Sequence, residues 1–404
     1  MPLIKAFAGL RPAPTQAAAV AAPPYDVLSS DEARVRAAAK PYSFLHISKP
    51  EIDLLPGIDA HDPVVYAMAA HNLEQMREKG VLVQDDSPCY YAYRLTMGAH
   101  VQTGLVVAAS VAAYDAGRIK RHEFTRPDKE DDRVQQIEAT NAQTGPVLLA
   151  YPAAAALDAL LAGATAGAAQ VKVTANDGIG HSLWVIRDAA TIAAIGAAAE
   201  ALPALYIADG HHRSAAASRV CAARQGAGES AYFLAVMFPH HQMRIMDYNR
   251  VVRDLNGLDE EQFLSRLTAC FSVTPAKALE RPARLNEFRL YLPGRWFKLV
   301  LRPELVPADP VARLDVSLLS DQLLTPLLGI ADLRRDQRID FVGGMRGLEE
   351  LQKRVDSGEM AAAFAMYPTR MEDLMAVADS GQVMPPKSTW FEPKLADGLV
   401  SHLI

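Results

Sequence analysis

Apolar and polar positions along this chain switch repeatedly between a period of two and a period near 3.6. Tyr90 to Thr96 and Val101 to Ala108 read as strands joined by the turn Met97-Gly98-Ala99-His100. Val147 to Tyr151, Ala204 to Ala208 and Tyr232 to Phe238 are apolar runs of strand length, the last of the fully buried kind. Two Ala-rich helices are predicted within 153–202, separated by a hairpin around Asn176-Asp177-Gly178, where glycine accepts positive φ. The Ala204–Ala208 strand is broken by Asp209-Gly210, and His211 to Ala223 then follows a helical pattern. Further helices are expected over 31–40 with Ser30 as N-cap, over 64–80 ending at Gly80, and from Leu258. Met243 to Tyr248 is expected to fold back on Tyr232–Phe238 across Pro239–Gln242, and 288–302 to form a hairpin about Pro293-Gly294. Residues 1–50, rich in proline, should be extended with short turns.

Strands and helices interleaved in this way define an α/β chain of mixed α+β character. Its 404 residues are enough for two or three compact units. The flavour of the pattern changes from about 255. The expected regions are therefore an N-terminal α/β region at 1–150 contributing to the site, a central region at 151–255, and a C-terminal α/β domain at 256–404. A net charge of −6 argues against non-specific nucleic-acid binding, although it leaves room for a local basic site for phosphate. The three cysteines form no CxxC pair and read as reduced thiols, with Cys221 a core residue of its helix. The first residues lack a signal-peptide pattern, and the Ala-rich stretches are interrupted before the roughly 20 residues a membrane span needs. A cytoplasmic location, without membrane partners, is the resulting expectation.

The strongest chemical signal is strand–Asp209-Gly210-His211-His212-Arg213–helix. Gly210 lets backbone amides approach a ligand closely, and those amides open a helix whose positive end favours anions. Arg213 is suited to fork onto a phosphate, His211 and His212 to donate hydrogen bonds or move protons, and Asp209 to orient a substrate or Mg²⁺. A cation at a helix N-terminus opposes the macrodipole, so the cluster calls for a bound anion or another compensating partner. The simpler alternative is a βα turn with solvated first-turn residues.

A second signal lies in 118–138, which holds six basic and six acidic residues. One reading is a solvated surface. The other is a site loop in which Glu123 is a general base and Arg126 or Lys129 neutralises phosphate. The prolines of Ala22-Pro23-Pro24-Tyr25-Asp26-Val27 hold Tyr25 and Asp26 rigidly, and Asn249 and Arg250 end a strand that could face the same pocket. Phe341 to Gly344 and Met384 to Phe391 are candidate pocket walls or plain turns. His211-His212 and His240-His241 could meet and recruit Asp247, yet neither HExxH nor CxxC occurs, so no resident metal site is expected. GxxxxGK[ST], GxGxxG and GxSxG are all absent.

Five segments together carry a family resemblance over nearly the whole chain. They are Ala22–Val27, Arg121-His122-Glu123 with Thr125, Asn141-Ala142-Gln143-Thr144-Gly145-Pro146, Ala208–Arg213 and Met384–Phe391. On these the chain is identified as a member of the bacterial and archaeal domain-of-unknown-function family ten-fifteen. Its Asp-Gly-His-His-Arg segment is similar to the phosphate-binding motif of the ParB/sulfiredoxin-like superfamily, which includes free serine kinases. The resemblance implies a ParB/sulfiredoxin-like core with additional N- and C-terminal α/β elements. It also implies phosphate or nucleotide binding at Gly210, His211, His212 and Arg213, with ATP or ADP and Mg²⁺ as cofactors. Phosphoryl transfer to a small hydroxylated metabolite such as serine is then the leading expectation. Glu123, Asp209 and His212 would be the catalytic residues, and Arg126 a further nucleotide contact. A phosphate-ester or nucleotide hydrolase and a non-catalytic nucleotide-binding regulator are the alternatives. The motif lies past residue 200, in a larger frame than a lone superfamily domain.

Overall fold

The apolar runs assemble into a nine-stranded mixed sheet. In chain order its strands are β1 (Ile4–Lys5), β2 (Tyr90–Met97), β3 (His100–Ser110), β4 (Ile119–Lys120) and β5 (Val147–Tyr151). They continue with β6 (Val171–Thr174), β7 (Gly180–Ile186), β8 (Leu205–Asp209) and β9 (Tyr232–Pro239). Their spatial order is β4-β8-β5-β9-β3-β2-β7-β6, with β1 beside β3. The pairs β4–β8 and β5–β9 are parallel and the other pairs antiparallel. Every residue of β5 and β9 is buried, which accounts for their unbroken apolar sequences.

The computed structural model describes residues 1–404 and divides into two compact units. The first comprises Met1–Met243 and Pro393–Ile404, the second Arg244–Glu392. In the first unit, helices α3 (Ala155–Ala164) and α4 (Ala189–Glu200) bury Leu157, Leu161, Ile195 and Ala199 in the same core as Leu105, Val107 and Leu149 of the sheet. Helix α5 (His211–Ala223) adds Ala217 to that core, while its Ala216 and Val220 cluster with Ile137 of α2 (Pro127–Thr140). Residues 10–82 build a separate apolar cluster that includes Phe44, Leu45, Ile47, and Leu73 and Met76 of α1 (Pro63–Glu78).

The second unit holds a six-stranded antiparallel sheet of β10 (Tyr248–Val252), β11 (Phe271–Pro275), β12 (Glu287–Leu292), β13 (Arg295–Leu301), β14 (Ile339–Gly343) and β15 (Ala362–Ala365), in the order β11-β13-β12-β15-β10-β14. Leu348, Leu351 and Val355 of α6 (Gly347–Asp356) pack with Val251, Tyr291 and Val342 of this sheet.

Three sequence expectations change. No boundary falls at 150, because β5 is flanked by β8 and β9, so the expected first and second regions share one sheet. Pairing between distant strands leaves no mark on local periodicity, so a domain edge drawn at 150 cuts through a single sheet. Likewise the last twelve residues belong to the first unit and not to a C-terminal domain: His402–Leu403 pairs with Ala142–Gln143, and the Asp397 N–H bonds to the Ala22 carbonyl at 2.9 Å. Finally, Met243–Tyr248 does not return along β9, since Arg244–Ile245 pairs with Phe391–Glu392 and Tyr248 begins β10. A smaller shift concerns the helix Ser30–Ala37, whose N-cap is Ser29, closed by a capping box with Glu32. No helix is long and apolar enough to cross a membrane.

Gly104 marks the tightest backbone approach in the central sheet. A Cβ there would lie 2.5 Å from the Met237 carbonyl oxygen and 2.7 Å from the Phe238 ring. Both are held by β9, which is buried along its whole length. We expect Gly104→Val to cost about 1–3 kcal/mol or more through overpacking, read as a lower urea midpoint at unchanged slope.

Candidate functional site

Gly210 joins β8 to α5 at φ +94°, a left-handed conformation that residues with a Cβ rarely adopt. A Cβ there would also lie 3.3 Å from Val147 Cα of the neighbouring β5. The turn folds the Asp209 carboxylate back, so that Oδ1 accepts the Gly210 N–H at 2.8 Å and Oδ2 meets Lys394 Nζ at 3.2 Å. Burial favours the neutral acid, but the charges of Lys394 and Arg213 outweigh it and hold Asp209 well below the usual carboxylate range. Asp209 is thus an anion at the mouth of the helix.

Parallel pairing of β4 with β8 (Leu205 opposite Ile119, Tyr206 opposite Lys120) sends both chains out at the same end of the sheet. The loop after β4 therefore runs beside the start of α5. The His122 ring is buried and lies edge-on to His211, with centroids 4.5 Å apart. The His122 backbone N–H points at His211 Nε2 at 3.5 Å, and His211 Nδ1 is 3.7 Å from Glu123 Oε2. His212 Nε2 accepts the Arg126 N–H at 3.1 Å. Burial, reinforced for His211 by neighbouring positive charge, keeps both His122 and His211 neutral, with His122 pushed down to about 4. Glu123 stays half-exposed beside them.

The charge-balanced stretch is therefore two things. Residues 121–126 are a loop of the site. From Pro127, the first residue of α2, the charges sit on a helix that is tied to α5 by Arg219, paired with Glu130 at 3.3 Å and Asp131 at 2.7 Å. The Arg126 guanidinium is engaged by Asp128 at 2.7 Å, so it is the backbone of Arg126 that touches the histidine pair.

Arg213 occupies a different environment from the one its position in the motif implies. It is buried, donates to the Pro146 carbonyl, and pairs with Asp26 at 2.9 Å. Its guanidinium lies 5.6 Å from the centre of the Tyr25 ring, whose other cationic neighbour, Arg133, is at 3.9 Å. The compensation expected for a cation at a helix N-terminus is supplied here by Asp26, Asp209 and Asp397, which hold Arg213 firmly charged despite burial. Tyr25, Arg133, Thr144, Gly145, Arg213 and Asp397 line a pocket of about 30 Å³, room for one or two waters. Arg213 Nε and Asp397 Oδ2 are buried there without a hydrogen-bond partner in the protein.

The structure thus brings together Asp209, Gly210, His211, His212, Arg213, Glu123 and the Arg126 backbone. Other pairings considered from the sequence do not form. His240 Nδ1 accepts the Ala153 N–H at 3.1 Å and its ring packs on His241, while Asp247 is ion-paired with Arg281. Asn249 is held by Asp247 at 2.7 Å and by the Met366 N–H at 2.9 Å, and buried Arg250 donates to the carbonyls of Tyr248 and Lys387; both are structural residues of the second unit. Sequence reasoning assigned no role to Lys394, Asp397, Arg133 or His122. Only His122 could have been flagged, by its place next to Glu123. Lys394 and Asp397 lie some 185 residues from the motif and reach it through a chain return that local patterns do not encode.

Residues 4–317 match the family described as Protein of unknown function (DUF1015), and the chain belongs to that family. Among curated proteins no match is found. Solved structures similar to this chain include a free serine kinase in complex with AMP (15% identity, TM-score 0.35, covering 71% of this chain and 86% of that one). A conserved hypothetical protein from Pyrococcus furiosus has 16% identity and a TM-score of 0.34, over 74% of this chain and 95% of that one. SbnI with C-terminal truncation, from Staphylococcus aureus, has 11% identity and a TM-score of 0.39, over 72% and 85%.

Burial drives Asp397 up to about 7, against the pull of Arg213. An acid whose folded pKa is raised loses stability as pH rises from its unfolded value, near 4, to its folded one. We expect Asp397→Asn to gain stability relative to the parent progressively between about pH 4 and 7 and to level off above, in melts run across that range. Removing Arg213 should do the reverse. Arg213→Ala leaves Asp26, Asp209 and Asp397 without their shared cation and should cost about 3–5 kcal/mol in urea unfolding at neutral pH.

Proposed function

We propose that this protein transfers a phosphoryl group from a nucleotide, ATP or ADP, to a small hydroxylated metabolite, with free L-serine the first acceptor to test. The observation that carries the reading is the half-exposed Glu123 carboxylate 3.7 Å from neutral His211 at the opening of α5, beside the ionised Asp209–Lys394 pair. Phosphoryl transfer asks a protein chiefly for positioning and charge neutralisation. The first-turn amides of α5 offer donors to phosphate oxygens, and Lys394 offers a cation able to turn from Asp209 to a phosphate. Asp209, kept ionised, is a hard oxygen ligand suited to Mg²⁺ shared with phosphate oxygens, an ion that would neutralise charge building up during transfer.

In this reading Glu123 accepts the hydroxyl proton, and His211 fixes the orientation of the carboxylate. His212 donates to a phosphate oxygen from its second ring nitrogen, while its Nε2 stays bonded to the loop at Arg126. Arg213 acts from behind. Its bonds to Pro146 and Asp26 set the turn at Gly210, so it is a positioning residue for the helix start. Exposure of Glu123 to solvent also supports a second reading, a phosphate-ester or nucleotide hydrolase in which water is the acceptor.

The test is incubation of the purified chain with Mg²⁺, L-serine and either ATP or ADP, followed by phosphorus NMR. Phosphoserine is the expected product. Glu123→Gln should lower turnover by about 10²–10⁴-fold while leaving nucleotide affinity within about two-fold, as loss of a general base predicts. Free phosphate without phosphoserine would move the assignment to the hydrolase, and an unchanged nucleotide with every acceptor tried would overturn both.

A further inference from the structure

The loop–helix junction contains a donor set of which the proposed transfer uses Glu123 and His211 and leaves His122 without a role. His122, Glu123 and His211 each present one ligand atom, and the three atoms lie within 4.8 Å of one another. Two of the three side chains are buried imidazoles, and the third is a carboxylate that reaches solvent. We propose that the His122 and His211 imidazoles and the Glu123 carboxylate form a binding site for a divalent first-row transition ion, with Zn²⁺ the reference metal.

The orientation of His122 carries the argument furthest. The ring is buried, and its Nδ1 has no hydrogen-bond partner in the protein. A buried lone pair left unused costs free energy, and a cation is one partner that would satisfy it.

Two imidazoles and one carboxylate are the donor set of open zinc sites, which keep a position for water or substrate. Mg²⁺ prefers all-oxygen surroundings, so this site and Asp209 would select different ions. The observed atoms need only a small closure to reach bonding distance. Glu123 is half-exposed on a loop, whereas the two rings are buried and packed edge-on to each other.

The inference shares its residues with the proposed transfer, since Glu123 cannot accept a proton while it holds a metal. Bound Zn²⁺ would then inhibit a kinase, or serve a hydrolase that uses the ion's open position. The binding test needs neither substrate nor turnover, so its failure and that of the proposed function are separable.

The full chain, stripped with chelator and dialysed, is titrated at pH 7.5 with Co²⁺, followed by visible absorption, and with Zn²⁺ by competition. One equivalent of Co²⁺ should bind with the visible bands of a low-coordinate site, and one equivalent of Zn²⁺ should displace it. Glu123→Gln, a change at a half-exposed position, should weaken binding by about ten-fold or more, and His122→Gln by more than that, since loss even of outer-shell partners costs about 10–100-fold. Asp209→Asn, outside the donor set, should keep affinity within about three-fold, which would separate this site from general attraction to the acidic junction. A parent protein that takes up no stoichiometric Co²⁺ overturns the proposal, as does a Glu123→Gln protein with unchanged melting and unchanged affinity.

Discussion

Everything in the site depends on the parallel pairing of β4 with β8. Only two residues of β4 take part, yet their register decides that the loop 121–126 leaves the sheet at the same end as Asp209. Had the two strands run antiparallel, His122 and Glu123 would stand at the opposite end of β8 from His211. The antiparallel neighbour β5 makes the complementary contribution. It begins where β8 ends, so Pro146 and Val147 meet Arg213 and Gly210. One end of three adjacent strands thus gathers a histidine–glutamate loop, a left-handed glycine and a helix start.

Charge is distributed around this junction in two tiers. Inside lie Arg213 and Arg133 against Tyr25, with Asp26 and Asp397 close by. Arg213 and Asp397 are buried there, Tyr25 and Arg133 partly so, Asp26 is exposed, and the charges compensate one another. Outside lie Asp209, Lys394 and Glu123, all in contact with solvent and able to exchange partners. The inner tier braces the turn at Gly210 and the outer one borders solvent. A single motif, Asp209 to Arg213, supplies members to both.

Most of the secondary structure was legible in the sequence, because strands covered on both faces and Ala-rich helices leave strong apolar patterns. The helix His211–Ala223 and the hairpin of β2 and β3 follow directly from those patterns. Domain boundaries were not legible. The flanking of β5 by β8 and β9, and the return of His402–Leu403 to Ala142–Gln143, are set by pairing across long stretches of chain. The site was legible to the extent that its residues are close in sequence. Asp209 to Arg213 and the Glu123 loop could be named, but the buried fate of Arg213 could not. A guanidinium's partners here are Asp26 and Pro146, at separations of 187 and 67 residues. Nor could the unpartnered Nδ1 of His122, whose ring is buried edge-on to His211.

The return of the chain after the second unit has a consequence for how the protein is made. Residues 244–392 are synthesised as one block between the bulk of the first unit and its last twelve residues. Those twelve include Lys394, which neutralises Asp209, and Asp397, which faces Arg213. During translation the nascent first unit therefore carries its motif for the whole time the ribosome needs to make the second, with the acid at the helix mouth lacking its lysine. A chain cut anywhere in that block would keep the entire Asp209–Arg213 motif but lack Lys394 beside Asp209 and Asp397 beside Arg213.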